Sequence, residues 1–271
     1  MATSPEVQAA PGGKNLTGRV ALVTGGTRGI GAAICHAFAA DGAVVAAGFS
    51  SNRGRAEEFR QQVEAEGATL TLHQGNIGDA DDCKRVVTEV INQHGRLDIL
   101  VNNAGITVDK PVWKLSPADW DKVLQVDLSG AFYMSKPAIE HMIGRGSGRI
   151  INISSVTGEM GNVGQANYAA SKAGLFGLTK TLAREAALAL RVAGKLEKGI
   201  GVTVNCITPG LIETDMVTTI PPYLLAEFIE RIPVHRMGQP EEIARVVNLL
   251  AQDASGFITG QIWDVDGGMN M

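Results

Sequence analysis

The amino-acid sequence predicts an α/β fold: one domain on a doubly wound parallel sheet of about seven strands, with helices on both faces. Three observations predict it. Short, continuously apolar segments alternate with longer segments of helical period along most of the chain, the pattern of a parallel sheet covered on both sides. A glycine-rich turn, Thr24-Gly25-Gly26-Thr27-Arg28-Gly29-Ile30-Gly31, joins the first apolar run to the first helical one. The 271 residues include 33 glycines and are 45% hydrophobic, which suits many tight turns around a sizeable core. Right-handed crossovers then wind the sheet both ways from its middle.

Residues 1–15 are rich in Ala, Pro and Gly, show no period and read as a flexible leader; residues 16–271 read as one domain, without linker or repeat. Val20–Val23 is the first strand. Residues 29–40 carry Ile30, Ile34, Ala37 and Phe38 at helical spacing. Asp41-Gly42 turns the chain into a second strand, 43–49, and a polar helix, 54–66, closes at Gly67. A strand at 69–74, a helix at 79–94 and a strand at 97–101 follow. Residues 117–143 read as one long helix, kinked at Pro137, whose ring removes an N–H and crowds the preceding turn. The fifth strand is 149–153, a long helix runs from Tyr168 to about Ala193, and the last two strands are 201–207 and Ile262–Val265.

The bulk chemistry excludes several function classes. Net charge is −4 and no basic tract stands out, which argues against nucleic acid. Cys35, Cys83 and Cys206 form no CxxC and read as small core residues of a reduced compartment. The five histidines have no metal-ligand spacing, so no metal is expected. No apolar run approaches the roughly 20 residues of a membrane span, and the N-terminus lacks the regions of a signal peptide. A cytoplasmic protein is expected.

The glycine turn carries the first functional signal. Its spacing, Gly25-x-x-x-Gly29-x-Gly31, differs by one residue from the commoner dinucleotide fingerprint. Following a strand and opening a helix, it lets the backbone approach a pyrophosphate that the helix N-terminus stabilises. The second strand exits through Gly48-Phe49-Ser50-Ser51-Asn52-Arg53-Gly54-Arg55, with no acid for a ribose 2′-hydroxyl. With Arg28, the arginines suit a 2′-phosphate and favour NADP(H).

The second signal is Tyr168 with Lys172. One helical turn separates them, so they share a helix face. An ammonium there stabilises the phenolate, and a phenol so tuned can exchange a proton with an alcohol oxygen. Such a pair also occurs on plain solvated faces; its weight comes from Ser155, thirteen residues earlier, and from the order of the other motifs.

That order is the glycine turn, Asn102-Asn103-Ala104-Gly105, Ser155, Tyr168-x-x-x-Lys172 and Pro209-Gly210. Together these motifs resemble the short-chain dehydrogenase/reductase family over nearly all of residues 16–271. The resemblance implies a Rossmann-type fold with Tyr168 as general acid for ketone reduction. Lys172 would favour the phenolate and bind the nicotinamide ribose, and Ser155 would hydrogen-bond the substrate oxygen. Gly25, Thr27, Arg28, Gly29, Ile30 and Gly31 would hold the cofactor phosphates, with Ser50, Asn52 and Arg53 beyond the second strand. Asn76 and Ile77 would line the adenine pocket, and Asn103, Ala104 and Gly105 the ribose. Ile207, Ile212 and Thr214 would lie near the nicotinamide around the Pro209-Gly210 turn.

Within the family, the segments 103–109, 161–168 and 210–216 are most similar to the 3-oxoacyl thioester reductases, acting on coenzyme A or acyl-carrier-protein thioesters. Asp109, Gln165 and Leu211 are the implied substrate contacts. The carrier stays open between the two. Residues 216–231, with Pro221-Pro222, are expected to form a mobile lid. Two other readings also stay open: an NADP-dependent oxidoreductase of another ketone or alcohol, and a non-catalytic nucleotide sensor or scaffold.

Two departures from the family pattern stand out. Asp127 occupies the place of an asparagine in the usual proton relay, and a buried carboxylate there must find donors or shift its pKa. Residues 188–199 look like an insertion leading into the sixth strand, far from strand carboxyl ends, and read as structural. Val123, Leu124, Val126, Leu128, Ala131 and Phe132 on one long helix, with Leu175, Leu178, Leu182 and Ala186 on the other, exceed what one sheet face can cover. A homotetramer is therefore expected.

Overall fold

The computed structural model describes residues 14–196, 201–215, 217 and 221–271. Most of the predicted leader, the end of the 188–199 segment, and residues 216 and 218–220 of the predicted lid lie outside the described residues. Seven strands form one parallel sheet: β1 (Val20–Val23), β2 (Val44–Phe49), β3 (Leu70–Gln74), β4 (Ile99–Asn102), β5 (Ser147–Ile153), β6 (Gly201–Pro209) and β7 (Ile262–Val265). Their order is β3-β2-β1-β4-β5-β6-β7, with every neighbouring pair parallel. The winding reverses between β1 and β4, and at such a point the connections diverge and leave a crevice.

The helices are α1 (Gly29–Ala40), α2 (Arg53–Ala65), α3 (Ala80–His94), α4 (Pro117–Leu124), α5 (Gly130–Arg145), α6 (Thr157–Met160), α7 (Ala166–Val192), α8 (Pro222–Glu230) and α9 (Pro240–Ala251). Side chains alternate across a strand, so each apolar run feeds two cores. Val23, Val101 and Ile151 pack with Ile34 and Phe38 of α1, Val63 of α2 and Val247 of α9. Leu22, Leu100 and Ile150 pack on the other face with Val86 of α3, Met134 of α5 and Leu182 of α7. The strands are apolar at consecutive positions because both faces are covered. Truncating one such leucine to alanine costs about 2–5 kcal/mol.

The structure corrects one element. Residues 117–143 are not a single helix kinked at Pro137. After α4 comes one π-helical turn, Gln125–Ser129, in which the Gly130 N–H bonds to the Gln125 carbonyl; α5 then continues through Pro137 to Arg145. The wider turn inserts a residue and rolls Asp127 inward, leaving it buried. A Cβ on Gly130 would stand 2.7 Å from the Ile77 carbonyl oxygen, so only glycine fits where this turn meets the loop after β3.

The sequence reading also passes over α9, although Gln239, Pro240 and Glu242 announce it. Pro240 opens the helix, and Gln239 and Glu242 form a reciprocal capping box. Beyond α7, the described part of the 188–199 segment turns back. Lys195 Nζ donates to the carbonyls of Ile143 at 3.3 Å and Gly144 at 2.5 Å, near the C-terminus of α5. That contact lies at the amino ends of the strands, away from the crevice. Among the described residues, no helix is long and apolar enough to cross a membrane.

Candidate active site

A cleft of about 960 Å³ opens at the carboxyl ends of β1, β2, β4, β5 and β6. Its floor is the glycine turn. Thr24 Oγ1 accepts the N–H groups of Asn103 at 3.0 Å and Ala104 at 3.1 Å, tying the β1 exit to the β4 exit. Asn103 Nδ2 answers by donating to the carbonyls of Thr24 at 2.9 Å and Gly25 at 3.2 Å. Nothing larger than glycine fits at position 31: a Cβ would be 2.1 Å from the Gly25 carbonyl oxygen and 2.6 Å from Asn103 Nδ2. Gly25 and Gly29 take positive φ, 61° and 51°, where a side chain is strained. Arg28, at the N-cap of α1, makes no side-chain cap bond, so the helix opens its N–H groups into the cleft. An uncapped helix N-terminus beside a bare glycine backbone is chemically fitted to a pyrophosphate.

The rim beyond β2 is cationic. Asn52 caps α2 by accepting the Arg55 N–H at 3.0 Å. Arg28 and Arg55 both reach the cleft, where Asp215 stands between them, 3.8 Å from Arg28 Nη1 and 2.8 Å from Arg55 Nη2. Arg53 does not line the cleft; the second arginine of its wall is Arg55. Thr27, Ile30, Ser50, Asn76, Ile77, Gly105, Pro209, Gly210, Ile212 and Thr214 all line it. Ile207 does not: it is fully buried in the core beneath.

Ser155, Tyr168 and Lys172 converge at the end of β5 and the start of α7. Lys172 is buried, with Nζ donating to the Ile153 carbonyl at 3.1 Å and lying 5.4 Å from the centre of the Tyr168 ring. Its backbone carbonyl accepts from Ser154 Oγ at 2.8 Å, which locks α7 to β5. Gly158 permits that packing, since a Cβ there would lie 2.8 Å from the Ala173 nitrogen. Ser155 Oγ accepts the Thr157 N–H at 3.1 Å, leaving its own proton to donate elsewhere. Asp127 lies behind the wall rather than in it. Its Oδ1 accepts the Ile106 N–H at 2.9 Å and its Oδ2 lies 3.5 Å from Lys172 Nζ. That is ion-pair distance without hydrogen-bond alignment, and Oδ2 is left with no hydrogen-bond partner.

Asp109, Gln165 and Leu211, the expected substrate contacts, also line the cleft. Gln165 Nε2 donates to Asp109 Oδ2 at 3.1 Å, and Gln165 Oε1 accepts from Asn162 at 2.9 Å. Burial pushes the Asp109 carboxyl above its ordinary range, against the Gln165 bond. The sequence reading gives no role to Asn167, which is fully buried beside the tyrosine. Its Oδ1 accepts the Tyr168 N–H at 2.8 Å, while Nδ2 donates to the carbonyls of Val108 at 3.2 Å and Asp119 at 3.3 Å. It clamps the loop bearing Asp109 and helix α4 to the turn that presents the phenol. Its adjacency to Tyr168 is the one signal of this in the sequence. Asp215 and Thr24 are also without a role in the sequence reading. Asp215 reaches the rim from a loop distant in sequence, and Thr24 is indistinguishable there from the rest of the glycine turn.

Residues 25–270 match the family described as enoyl-(acyl carrier protein) reductase. The chain is 44% identical over 256 residues to the acetoacetyl-CoA reductase of Cupriavidus necator, covering 94% of this chain and all of that one. It is 43% identical to a 3-oxoacyl-(acyl-carrier-protein) reductase of Staphylococcus aureus, covering 93% of this chain and 98% of that one. Among solved structures, a candidate gluconate dehydrogenase from Agrobacterium tumefaciens superposes with a TM-score of 0.87 at 33% identity, over 94% of this chain and 97% of that one.

Proposed function

The chain belongs to the short-chain dehydrogenase/reductase family, as an oxidoreductase of CH–OH and C=O groups that uses a nicotinamide cofactor, and from that premise we propose that it reduces the 3-oxo group of an acyl thioester with NADPH. The observation that carries this reading is the convergence of Tyr168, Ser155 and a buried Lys172 in the same cleft as an uncapped helix N-terminus. The relatives supply the thioester, since both named reductases act on the 3-oxo or acetoacetyl group.

The chain's own residues divide the work as follows. The α1 N-terminus and the glycine turn would hold the pyrophosphate, Arg28 and Arg55 the 2′-phosphate, and Lys172 the nicotinamide ribose. The nicotinamide supplies the hydride. Ser155 would donate a hydrogen bond to the carbonyl oxygen and orient it, keeping its own proton. Tyr168 gives its phenolic proton to the same oxygen as charge develops there. Lys172, fixed by Ile153 and faced by Asp127, stabilises the phenolate left behind. Gln165 and Asp109 would bind the thioester arm.

NADPH oxidation with acetoacetyl-CoA, with an acetoacetyl carrier protein and with a panel of ketones tests the reading. Turnover of a thioester at least tenfold more efficient than of simple ketones is expected; preference for a sugar-acid ketone would replace it with the activity named for the structural neighbour.

The assembly belongs to the same proposal. Of the apolar residues expected to face a partner, Val123, Ala131, Leu175, Leu182 and Ala186 are covered by the chain itself, while Phe132 is 44% exposed. Val126 lines the cleft instead, so Phe132 and the half-covered Leu124, Leu128 and Leu178 are the residues left on which a homotetramer would close. Light scattering at micromolar concentration checks it; a monomer there excludes it.

A further inference from the structure

Asp127 is a carboxylate where the family resemblance leads one to expect an amide, and the structure gives that difference a specific target. The π turn Gln125–Ser129 rolls the side chain into a fully covered position. Oδ1 is held by the Ile106 N–H, which an amide oxygen would accept equally well. Oδ2 has no hydrogen bond and stands 3.5 Å from Lys172 Nζ. The gap between them is kept open by Gly105, where a Cβ would lie 2.8 Å from Oδ2 and 3.2 Å from Nζ. The atom that distinguishes aspartate from asparagine is thus the one aimed at the catalytic lysine.

We propose that Asp127 is a positioning residue that sets charge: its carboxylate offsets part of the positive charge that Lys172 presents to Tyr168, and so moves the working range of the enzyme to higher pH than an amide would. The inference rests on the proton-donor role assigned to Tyr168 above. An ammonium favours a neighbouring phenolate, and a carboxylate beside that ammonium opposes the effect. The Asp127 carboxylate and the Lys172 ammonium are both buried, where screening between them is weak.

The groups that face the pair are few. Lys172 and Tyr168 come from α7, and Cys206 from β6. Burial pushes the Cys206 thiol up to about 12, so it stays neutral. The loop after β4 offers the Ile106 N–H, and β5 the Ile153 carbonyl. Burial works to lower Lys172, but Asp127 and then Tyr168 more than offset it and hold the ammonium above its ordinary value. Burial also raises the Asp127 carboxyl, against the pull of Lys172 and then of the Ile106 N–H. The two groups therefore share one electrostatic balance, and a neutral side chain at 127 changes it.

The test is the pH–rate profile of the full-length Asp127→Asn variant with saturating NADPH and acetoacetyl-CoA. The alkaline limb, where the proton donor is lost, is expected to move to lower pH by about one unit. The plateau rate should stay within about threefold, and KM for the thioester within about twofold. Asp127→Ser removes the same charge and is read in its place if Asp127→Asn melts early. An alkaline limb that stays put, moves to higher pH, or gives way to an equal loss of rate at every pH overturns the proposal. Tyr168→Phe run alongside separates the two failures: if it abolishes turnover while the Asp127→Asn profile is unshifted, only the charge-setting role is wrong.

Discussion

Two clusters of buried charge sit at opposite ends of the same sheet, and they are finished differently. At the amino ends of the strands, Asp98 accepts from the Val20 N–H at 2.9 Å, from Arg96 Nε and Nη2 at 2.6 Å each, and from Arg19 at 3.4 Å. Arg149, also buried, donates to the carbonyls of Gly148 at 2.7 Å and Gly201 at 3.0 Å and reaches Asp253 at 3.3 Å. Arg19 bonds Asp253 as well, which closes the network. At the carboxyl ends, Asp127 Oδ2 is, among the described residues, the one buried carboxylate oxygen without a hydrogen bond. A satisfied buried network holds a fold in one arrangement; an unsatisfied charge is a cost that the rest of the fold supports where chemistry needs it. The distal cluster should therefore answer to stability measurements and the proximal one to kinetics.

The sharpest break of that contrast lies at the proximal end. Tyr168→Phe removes the proposed proton donor and keeps the ring, so cofactor binding should survive while single-turnover NADPH oxidation falls about 10²–10⁴-fold. Retention of more than about a tenth of the rate would place the proton donor elsewhere. Lys172→Ala should lose a similar factor and weaken cofactor binding too, because in the proposed reading the same ammonium serves both. Tyr168→Phe should not melt at a much lower temperature if the site is kept for chemistry, whereas Lys172→Ala also strips the buried Asp127 carboxylate of its cation and should lose stability as well.

At the distal end the expected signature is reversed. Asp98→Ala leaves the Val20 N–H and the part-exposed Arg96 without their acceptor, while Arg19 keeps Asp253, and orphaning such groups costs about 1–3 kcal/mol. Urea unfolding should show that loss with KM unchanged. Burial works to raise the Asp98 carboxyl, but Arg96, the Val20 N–H and Arg19 together hold it below its ordinary range. The sign follows: the stabilisation is complete above the unfolded carboxyl value of about 3.9 and is lost as pH falls through the lower folded value. The Asp98→Ala variant should therefore unfold with a shallower acid dependence than the parent.

How much of this was legible in the sequence depended on whether local chemistry or packing decided the outcome. The strand sequence and the glycine turn were legible, because a doubly covered strand must be apolar throughout and Gly31 has no room for a Cβ. The π turn was not: a single extra residue inside a helix leaves no composition cue, and the visible proline at 137 drew the break to the wrong place. The arginines show a subtler limit. Arg53 and Arg55 are two residues apart, which on a helix is roughly 200° of rotation, so they cannot both face the cleft. Which one does is settled by Asn52 as the N-cap, which fixes where the helix begins. The distal network was equally hidden, since Asp98, Arg149 and Asp253 meet only after the sheet is assembled.

Away from both buried clusters, the cationic rim carries a third arrangement, in which Arg28 and Arg55 are about half exposed. Charge there is screened by water and salt, so effects should be graded. Arg28→Ala or Arg55→Ala should raise the NADPH KM about tenfold and leave the NADH KM nearly unchanged, measured at low ionic strength. Equal efficiency of the parent with both cofactors would remove the argument for a 2′-phosphate site.

The smallest effect is expected at Asp215, and its sign is informative. Its carboxylate stands between the two arginines, in the part of the rim where a 2′-phosphate would compete for them. Exposed ion pairs contribute little, so the fold should not notice Asp215→Asn. The phosphate should: removing a competing anion leaves the arginines a stronger net field. NADPH should bind about two- to fivefold tighter at low salt, and the gain should vanish near 0.5 M salt, where the screening length is only a few ångströms. NADH, lacking the phosphate, serves as the internal control. Tighter binding of both cofactors would point instead to a general loosening of the loop after β6, and weaker NADPH binding would mean that Asp215 organises the arginine pair for the phosphate rather than competing with it.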